Sequence, residues 1–571
     1  MGNSSTVPDV PCGVKPRHNR IKVASAVIDF ERARLAATSQ RQFARENGVP
    51  RSTLQGWLSR RAAIESNPKV VAFCESPEGT EFIHEIHASA LYEFNKCGPA
   101  GIRRICSFIE RSPLHPFIAS SFGSIQKAAE VMDNNTVAFG REQKALMGAQ
   151  MQPKNVSVCE DESFFPKTCL VAIEPVSGFI FLEEYAKGRD AETWNIALKT
   201  NIDGLPVTII QAISDEAKGL LSHAANGLGV HHSPDLFHMQ HELHKAFGAL
   251  SRSMVRQAKR DLEQANECVK DQVKANDEYS LHLDMRGPGR PPNFDAKISF
   301  ATASVIAAQE NLNAIEEVRD GISAEIRDIG LDYHPFDLKT GALRQASDVK
   351  KDLEKRFESL YASADDLELS DMSRKHIAKS ERLVPQMVAT IAFFWNMVTT
   401  IIAGHSLPEK MTTFLYSALI PLAYLKLVLP KVKSNQRAVI RDTIDKLTAA
   451  AENTTATLNS EVLSMMLAVA QQCAEVFQRS SSCVEGRNGA LSLYHHAGRN
   501  LTSRRLCVLN VIHNFDIKRP DASTAANRLS GLTHPDLFEW LLARQPLPVR
   551  PARVCNPVAK ASQFCYKSQI L

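Results

Sequence analysis

The segment VSVCEDESFFPKTCLVAIEPVSGFIFLEEY, residues 156–185, decides the fold of this chain. Its β-branched and aromatic residues form short apolar runs, which are separated by turn-forming proline, lysine and glycine residues. This pattern predicts an antiparallel meander of three strands, at residues 156–159, 169–174 and 179–184. Where the first strand is predicted to end, the sequence carries three consecutive carboxylates, Glu160, Asp161 and Glu162.

Two further strands are predicted downstream of the meander. Residues 207–213 form a continuous β-branched run, which indicates burial on both faces, and Asp215 follows it closely. A short fifth strand is expected near residue 230, ahead of the sequence SPDLFHMQHELH at 233–244. The pattern from 249 to 479 is helical almost throughout. The predicted fold class is therefore α+β and mostly α, with a mixed sheet that a large helical insertion interrupts.

Two apolar runs in the helical region, at residues 387–403 and 412–429, raise the question of a membrane. Each is shorter than the ~20 clean apolar residues that a membrane-spanning helix requires. Asn396 interrupts the first run, and Pro421 and Lys426 interrupt the second. We therefore expect buried helices and no membrane.

Length and composition indicate a globular protein of several domains. A chain of 571 residues is too long for one simple core, and its 44% apolar and 23% charged residues are ordinary for a soluble protein. The 12 cysteines include no CxxC pair and follow no signal-peptide pattern. Free thiols in a reducing cytoplasm are expected, rather than a disulfide framework or a zinc ribbon.

The first 70 residues are basic, with 12 Lys or Arg against five Asp or Glu. Such a charge imbalance suggests that this end of the chain faces nucleic acid. Within it, QRQFARENGVPRSTLQGWLSRR at residues 40–61 has the spacing of a helix-turn-helix. Gly48 would supply the positive φ of the turn, while the two helices would pack through Phe43, Ala44, Leu54 and Trp57.

The second helix of this motif, residues 51–60, would be the recognition helix in a DNA major groove. Its candidate DNA-binding residues are Arg51, Ser52, Thr53, Gln55, Arg60 and, directly after it, Arg61. An ordinary pair of helices with solvated basic faces is the alternative. Residues 71–150 are predicted to be helical, either as a linker or as a second DNA-binding domain.

Carboxylates at separated places in the chain suggest metal-dependent phosphoryl transfer. That chemistry uses carboxylates to hold two divalent ions about 3.5–4 Å apart, and oxygen-rich ligation selects Mg²⁺ or Mn²⁺. Asp161 and Asp215 lie at the first and fourth predicted strands. A third acid is available in Glu485, which follows a serine-rich helix cap and precedes Gly486, Arg487 and Asn488.

These motifs resemble a DDE-type transposase of a bacterial insertion sequence, with a ribonuclease-H-like catalytic domain and an α-helical insertion before the final Glu. The resemblance covers residues of about 155–245 and 480–528, together with the N-terminal helix-turn-helix. It rests on a strand-borne Asp-Glu pair, a strand-end Asp, a D-x-F-H segment and an S-x-x-V-E-G-x-N helix. The matching residues are Asp161 and Glu162, Asp215, Asp235 to His238, and Ser481 to Asn488.

The resemblance implies that Asp161, Asp215 and Glu485 are the catalytic residues and the ligands of two Mg²⁺ (or Mn²⁺) ions. Glu162 or Glu160 would replace Asp161 if the strand register were shifted by one residue. Asp235 would be either a further ligand or a helix cap, with His238 in a supporting role. Arg487 and Asn488 are candidate DNA contacts. The histidines at 231–244 also allow a zinc site, although no cysteine lies near them in sequence.

The implied function is metal-dependent DNA cleavage and strand transfer at the inverted terminal repeats of an insertion sequence. Its partners would be double-stranded terminal-repeat and target DNA and at least a second copy of the chain, in a bacterial cytoplasm at the nucleoid. The alternatives are a transposase-derived DNA-binding protein without strand transfer and a ribonuclease-H-like nuclease. The chain is predicted to begin with the DNA-binding region 1–70 and the helical region 71–150. The catalytic core follows in two parts, 151–248 and 480–530, which are separated by the insertion 249–479. A tail at 531–571 ends the predicted domains.

Overall fold

The computed structural model describes residues 20–59, 68–164, 167–281, 289–497 and 501–551. The chain divides into two compact units. The first unit comprises residues 1–147, 493–527 and 531–571, and the second comprises 148–492 and 528–530. The fold is mostly helical with one five-stranded mixed sheet, as the α+β prediction required.

Helices form the described part of the first unit. In its N-terminal region these are α1 Arg20–Leu35, α2 Gln40–Glu46, α3 Arg51–Leu58, α4 Pro68–Glu75, α5 Pro77–Ala90, α6 Ile102–Arg111 and α7 Phe122–Gln150, whose last turn enters the second unit. A π-helical segment, Leu91–Cys97, continues α5. Gly101 and Ser112, both with extended backbone, cap the two ends of α6.

The helix-turn-helix segment has a small core of its own. Phe43 and Ala44 of α2 pack with Leu54 and Trp57 of α3, and all four are buried with apolar residues of α1. Gly48 has φ of +60° in the turn, where a side chain would be strained. The side chain of Ser39 caps α2 by accepting a hydrogen bond from the backbone N–H of Gln42 at 3.2 Å. The predicted helices, turn and packing residues are therefore observed.

The end of the chain also belongs to the first unit. Its helices there are α20 Ser503–Phe515 and α22 Leu537–Leu542, while α19 Ser482–His496 and α21 Ala525–Ser530 each cross a boundary between the units. The ring of Phe139 on α7 lies 5.6 Å from that of Phe515 and 5.3 Å from that of Trp540. Residues 493–527 therefore pack with the N-terminal helices rather than with the predicted catalytic core. The segment 531–551 is likewise not a peripheral tail, since Leu537 and Leu541 are fully buried.

The sheet lies in the second unit and has the strand order β3-β2-β1-β4-β5. Its strands are β1 Lys154–Ser163, β2 Cys169–Ile173, β3 Ile180–Tyr185, β4 Val207–Ser214 and β5 His231–Pro234. The first three pair in antiparallel fashion, while β4 is parallel to both β1 and β5. Helix α8 Ala191–Ile202 joins β3 to β4, and α9 Lys218–Ser222 with a π-helical segment, His223–Leu228, joins β4 to β5.

The end of β1 is the boundary of the meander that differs most from the prediction. Strand β1 continues to Ser163, so the three carboxylates lie inside the strand and not after it. The reason is the antiparallel pairing of β1 with β2, in which Asp161 lies opposite Val171 and Ser163 opposite Cys169. Because side chains alternate along a strand, Asp161 points to one face of the sheet and Glu160 and Glu162 point to the other.

The insertion is helical and contains the largest apolar core of the second unit. Its helices are α10 Leu236–Leu281, α11 Phe294–Asp332, α12 Ala346–Asp366, α13 Asp371–Glu381, α14 Val384–Ala403, α15 Glu409–Phe414, α16 Ile420–Val428, α17 Ser434–Thr457 and α18 Ser460–Glu475. The long arms α10 and α11 form a hairpin, with Val255, Ala258 and Leu312 between them.

Two helical stretches in the insertion, Asp371–Ala403 and Glu409–Lys431, are long and apolar enough to cross a membrane by length and composition alone. Between a third and a half of each apolar window is buried inside the protein. The buried side chains include Ile391, Phe394 and Leu425, which pack in the core together with Phe477. These apolar residues therefore build the core of the insertion.

Candidate functional site

The pairing of β1 with β4 sets the first two carboxylates of the candidate site side by side. Cys159 lies opposite Ile213 in this parallel ladder, so the same register places Asp161 next to Asp215, just beyond the end of β4. Neighbouring strands are about 4.8 Å apart. The carboxylate of Asp215 is oriented by the backbone N–H of Ala217, which donates to its Oδ1 at 2.9 Å.

Helix α19 brings the third carboxylate to the same face of the sheet. Glu485 lies in its first turn, and Asn488 is three residues later, on the same side of the helix. The Asn488 side-chain amide donates to Oδ2 of Asp161 at 3.0 Å. On the same face, the thiol of Cys159 donates to the carbonyl of Ser480 just before α19. The β1 face that carries Asp161 is therefore the one on which Glu485 is presented.

The carboxylates of Glu485 and Asp215 act electrostatically on Asp161. The pKa of Asp161 is raised to about 6, mainly by burial and also by the negative charges of Glu485 and Asp215, while the hydrogen bond from the Glu162 N–H opposes this rise. A carboxylate held among other carboxylates is destabilised in its ionised form. Such a raised carboxyl pKa marks a candidate functional site.

This arrangement predicts a pH-dependent cost in stability. The folded-state pKa of Asp161 lies above its unfolded value, so metal-free protein should lose stability as pH rises from about 4 to about 6, by at most about 3 kcal/mol. Asp161→Asn should remove that part of the pH dependence, because an amide does not ionise. Urea unfolding in EDTA at several pH values measures the difference, with Glu192→Gln as a control. A variant whose pH profile parallels that of the wild type would contradict the assignment.

The other two acids of β1 are held on the opposite face. Glu160 is fully buried and is bound to Nε2 of His223 at 3.1 Å. Glu162 accepts a hydrogen bond from the indole N–H of Trp194 at 3.2 Å and is paired with Arg189 at 3.3 Å. Since both carboxylates are engaged there, Asp161 is the β1 residue that faces Asp215 and Glu485.

Asp235 ties the start of the insertion to the start of α19. It is buried, and its two oxygens accept hydrogen bonds from the backbone of Phe237 and His238, from the His238 ring, and from the N–H and hydroxyl of Ser481 at 3.0 and 2.9 Å. Burial alone would raise the pKa of Asp235, but the hydrogen bonds from His238 and Ser481 outweigh it and lower that pKa. With its oxygens so engaged, Asp235 acts as a helix cap and a positioning residue.

His238 lies between Asp235 and the carboxylates of the site. Its Nδ1 is 3.1 Å from Oδ2 of Asp235, and this hydrogen bond raises the pKa of the imidazole. The charges of Asp215 and Asp161 raise that pKa too, so they lie close enough to act on the ring. The His238 side chain remains about two-fifths exposed. It is therefore placed to meet a ligand at the site.

Arg487 does not fit the DNA contact predicted for it. Its guanidinium is buried and makes two hydrogen bonds to the carboxylate of Glu183 on β3, at 2.6 and 2.7 Å. The positive charge of Arg487, which was predicted to bind a DNA phosphate, is thus neutralised by Glu183 inside the protein. The ion pair of Arg487 and Glu183 fixes α19 against the sheet. Asn488 is likewise engaged with Asp161 rather than presented on an outer face.

The side chains around Asp161 offer oxygen donors for a divalent cation. Within the described ranges, no three His, Cys, Asp or Glu side chains are already close enough together to enclose a metal ion. One polar atom nevertheless points to such a ligand, because Oδ1 of Asn488 is buried and has no hydrogen-bond partner among the described residues. Hard oxygen donors of this kind suit Mg²⁺ or Mn²⁺. Asp161, Asp215 and Glu485, with Asn488 beside them, are the residues that would hold it.

The histidines at 231–244 are dispersed by the fold. His231 stacks on Phe393 and its Nε2 is 3.0 Å from the hydroxyl of Thr390, whereas Nε2 of His232 is 3.0 Å from the hydroxyl of Ser214. Burial lowers the pKa of both rings to about 4. Their contacts are with protein side chains, so a zinc site finds no support in the described residues.

On the predicted recognition helix, Arg51, Ser52 and Gln55 are exposed and Thr53 is half-buried. Arg60 and Arg61 lie outside the described residues. The exposed side chains alternate with the buried Leu54 and Trp57, so one face of α3 packs on its own core and the other is available.

Three residues near the site were missed by sequence reasoning: Glu183, Glu242 and Lys379. Strand alternation could have identified Glu183 as a buried acid, because it places Glu183 on the same face of β3 as Phe181. Glu242 and Lys379 lie on separate helices of the insertion, and no local pattern links them.

Residues 415–556 match the model of a family of unknown function, DUF6399, and this segment includes α19 with Glu485. Among curated proteins and solved structures, nothing matches the chain.

Proposed function

We propose that this protein is a DDE-type transposase with a ribonuclease-H-like catalytic core, which cleaves and joins DNA strands in a metal-dependent reaction. The observation that carries the proposal is the placement of Asp161 and Asp215 side by side on neighbouring strands, with Glu485 of α19 close enough to act electrostatically on Asp161. Asp161 on β1 is aligned with Asp215 after β4. The charges of Asp215 and of Glu485 on α19 both raise the pKa of Asp161. Their order and placement agree with the resemblance that the sequence shows.

The sheet supports the same assignment. An antiparallel meander comes first, the fourth strand pairs in parallel with the first, and a fifth strand follows it. The helical insertion then separates the second Asp from the final Glu by 269 residues of sequence. This is the architecture that the resemblance implies for a ribonuclease-H-like core with an insertion.

The chemistry needs no nucleophile from the protein. Two Mg²⁺ or Mn²⁺ ions would supply activation of the attacking oxygen and stabilisation of the leaving oxygen. Asp161, Asp215 and Glu485 would hold the site, while Asn488 orients Asp161 and the Asp235–Ser481 link fixes the first turn of α19. Water would first break a phosphodiester bond at the element end and leave a 3′-hydroxyl. That hydroxyl would then attack a phosphodiester of the target DNA, which joins it to the 5′-phosphate of one target fragment and releases the 3′-hydroxyl of the other.

DNA recognition would come from the helix-turn-helix. Phosphate contacts position such a domain and a few base contacts specify its site. The expected partners are double-stranded DNA, as terminal inverted repeats and as target, and a second copy of the chain to pair two ends. Such a reaction would take place at the bacterial nucleoid.

The test uses purified full-length protein and linear DNA taken from the two flanks of its coding region. With Mg²⁺ or Mn²⁺ present, cleavage at the flanking repeats and covalent joining of the ends to a plasmid are expected. Cleavage without joining would instead identify a nuclease. Binding without cleavage would identify a DNA-binding protein and overturn the proposal.

A separate prediction concerns the helix-turn-helix. Gln55→Ala should weaken binding to the repeat sequence by about 10-fold, because one good base contact is worth about 1–3 kcal/mol of discrimination. Binding to unrelated DNA should be unchanged, since it depends on phosphate contacts. Fluorescence anisotropy at fixed salt measures both, with Arg32→Ala on α1 as the control. Equal loss on the repeat and on unrelated DNA would count against a base contact by Gln55.

A further inference from the structure

A cleft of about 330 Å³ opens beside Asp215 and extends to the helical insertion. One wall carries Asp215, Asp235 and His238 from the candidate site. The helical insertion contributes Glu242 from α10 and Lys379 and Ser380 from α13 to the lining. The cleft therefore has a carboxylate side, which also includes Glu216, and a lysine side in which Lys379 lies beside Glu242, and both belong to the second unit.

The lysine side is held in place by a single buried carboxylate. Glu242 on α10 accepts a hydrogen bond from Lys245 at 2.9 Å, binds His376 at 2.7 Å and is paired with Lys379 at 3.5 Å. Burial alone would raise the pKa of Glu242, but these hydrogen bonds and the charge of Lys379 lower it to about 2. One negative charge thus organises two lysines and an imidazole, which leaves the group positively charged.

The helix that carries Lys379 is fixed against α10. The hydroxyl of Ser380 donates to the carbonyl of Met239 at 3.2 Å, and Ser380 is almost fully buried. The Lys379 side chain itself remains about half exposed. Its amine is therefore positioned at the edge of the cleft while its donors stay accessible to a ligand.

An anion fits both walls of such a cleft. A phosphate bound at the carboxylate side needs a bridging cation, whereas a phosphate at the lysine side is bound directly by an ammonium group. A DNA strand supplies both, because its phosphates follow one another along the backbone. A neutral small molecule would make no ionic interaction with the amine of Lys379.

We propose that Lys379, positioned by Glu242, binds the DNA backbone phosphate next to the one that is cleaved, so that the insertion supplies one side of the DNA path through the site. This inference rests on the proposed transposase function. It assigns the insertion a direct part in holding the substrate strand.

The test compares full-length wild type, Lys379→Ala and Lys379→Arg on DNA from the flanks of the coding region. In Ca²⁺, Lys379→Ala should bind this DNA about 10-fold more weakly, and the slope of log affinity against log salt should fall by about one. Lys379→Arg should restore most of the affinity, since it keeps the charge. The control is Lys446→Ala, which removes another ion-paired lysine of the insertion and should bind as wild type does.

A cleavage assay in Mg²⁺ distinguishes the Lys379–phosphate contact from the proposed transposase function. If wild type cleaves and Lys379→Ala binds with unchanged affinity and salt slope, the phosphate contact is overturned while the proposed function stands. If wild type cleaves and Lys379→Ala loses affinity with the reduced slope, both are supported. If wild type binds DNA but cleaves none, the proposed function fails, and the contact as stated fails with it.

Discussion

Asp215→Asn is expected to lower the rate of DNA strand cleavage by about 10³-fold or more without weakening DNA binding. The amide has nearly the same shape, and its oxygen can still accept the hydrogen bond from the Ala217 N–H, so the turn after β4 is preserved. It carries no negative charge, however, and charge is what a divalent ion requires from its ligands. A 10³-fold loss corresponds to about 4 kcal/mol of transition-state stabilisation.

Single-turnover cleavage of a labelled flanking fragment in Mg²⁺ measures this effect, and anisotropy in Ca²⁺ measures binding. Glu192→Gln provides the matched control, because it removes one carboxylate from the exposed first turn of α8. We expect that control to cleave within about threefold of wild type. Comparable cleavage by Asp215→Asn would exclude Asp215 from the reaction.

Arg487→Met is expected to lower the stability of the sheet and α19 by about 3–5 kcal/mol. The change leaves the carboxylate of Glu183 buried, fully screened from solvent and without its main partner. Removing one member of a buried ion pair has this effect because the remaining charge is uncompensated. Replacing both residues, as Arg487→Met with Glu183→Met, should recover much of the loss.

Hydrogen exchange of peptides from β1, β3 and α19 during urea titration locates this effect in the second unit. Lys446→Met breaks an exposed ion pair and should change stability by less than about 0.5 kcal/mol. A loss for Arg487→Met as small as that of the control would mean that the buried pair contributes little. An equal loss for the single and double variants would mean that the unpaired charge is not the cause.

Local patterns were enough to predict the helix-turn-helix. The positions of Phe43, Ala44, Leu54 and Trp57 follow from helical periodicity, and the turn at Gly48 follows from the conformational freedom of glycine. The strands were predictable for the same reason, since β-branched runs and turn residues are short-range signals. The end of β1 was placed too early, because its last residues are held in the strand by pairing with β2 rather than by their own propensity.

The face of Asp161 illustrates what sequence leaves open. Alternation guarantees that Asp161 and Glu162 point in opposite directions, but only the packing of α8 and α19 determines which direction is which. Glu162 meets Trp194 on one side, and Asp161 meets Asn488 on the other.

Side-chain pairs between residues far apart in the sequence could not be predicted from local sequence patterns. Arg487 was predicted to contact DNA, yet its partner Glu183 lies 304 positions earlier in the chain. The grouping of Glu242 with Lys379 likewise depends on how α13 packs against α10. Such contacts follow from tertiary packing, which no hydrophobic period or turn signal records.

The most direct test of the three-carboxylate site is to locate Mn²⁺ by its anomalous scattering in crystals of the protein bound to flanking DNA. The account predicts anomalous peaks bounded by the carboxylates of Asp161, Asp215 and Glu485, beside a DNA phosphate, and their loss in Asp215→Asn. Peaks at other residues, or a Glu485 side chain turned away from the other two, would contradict it.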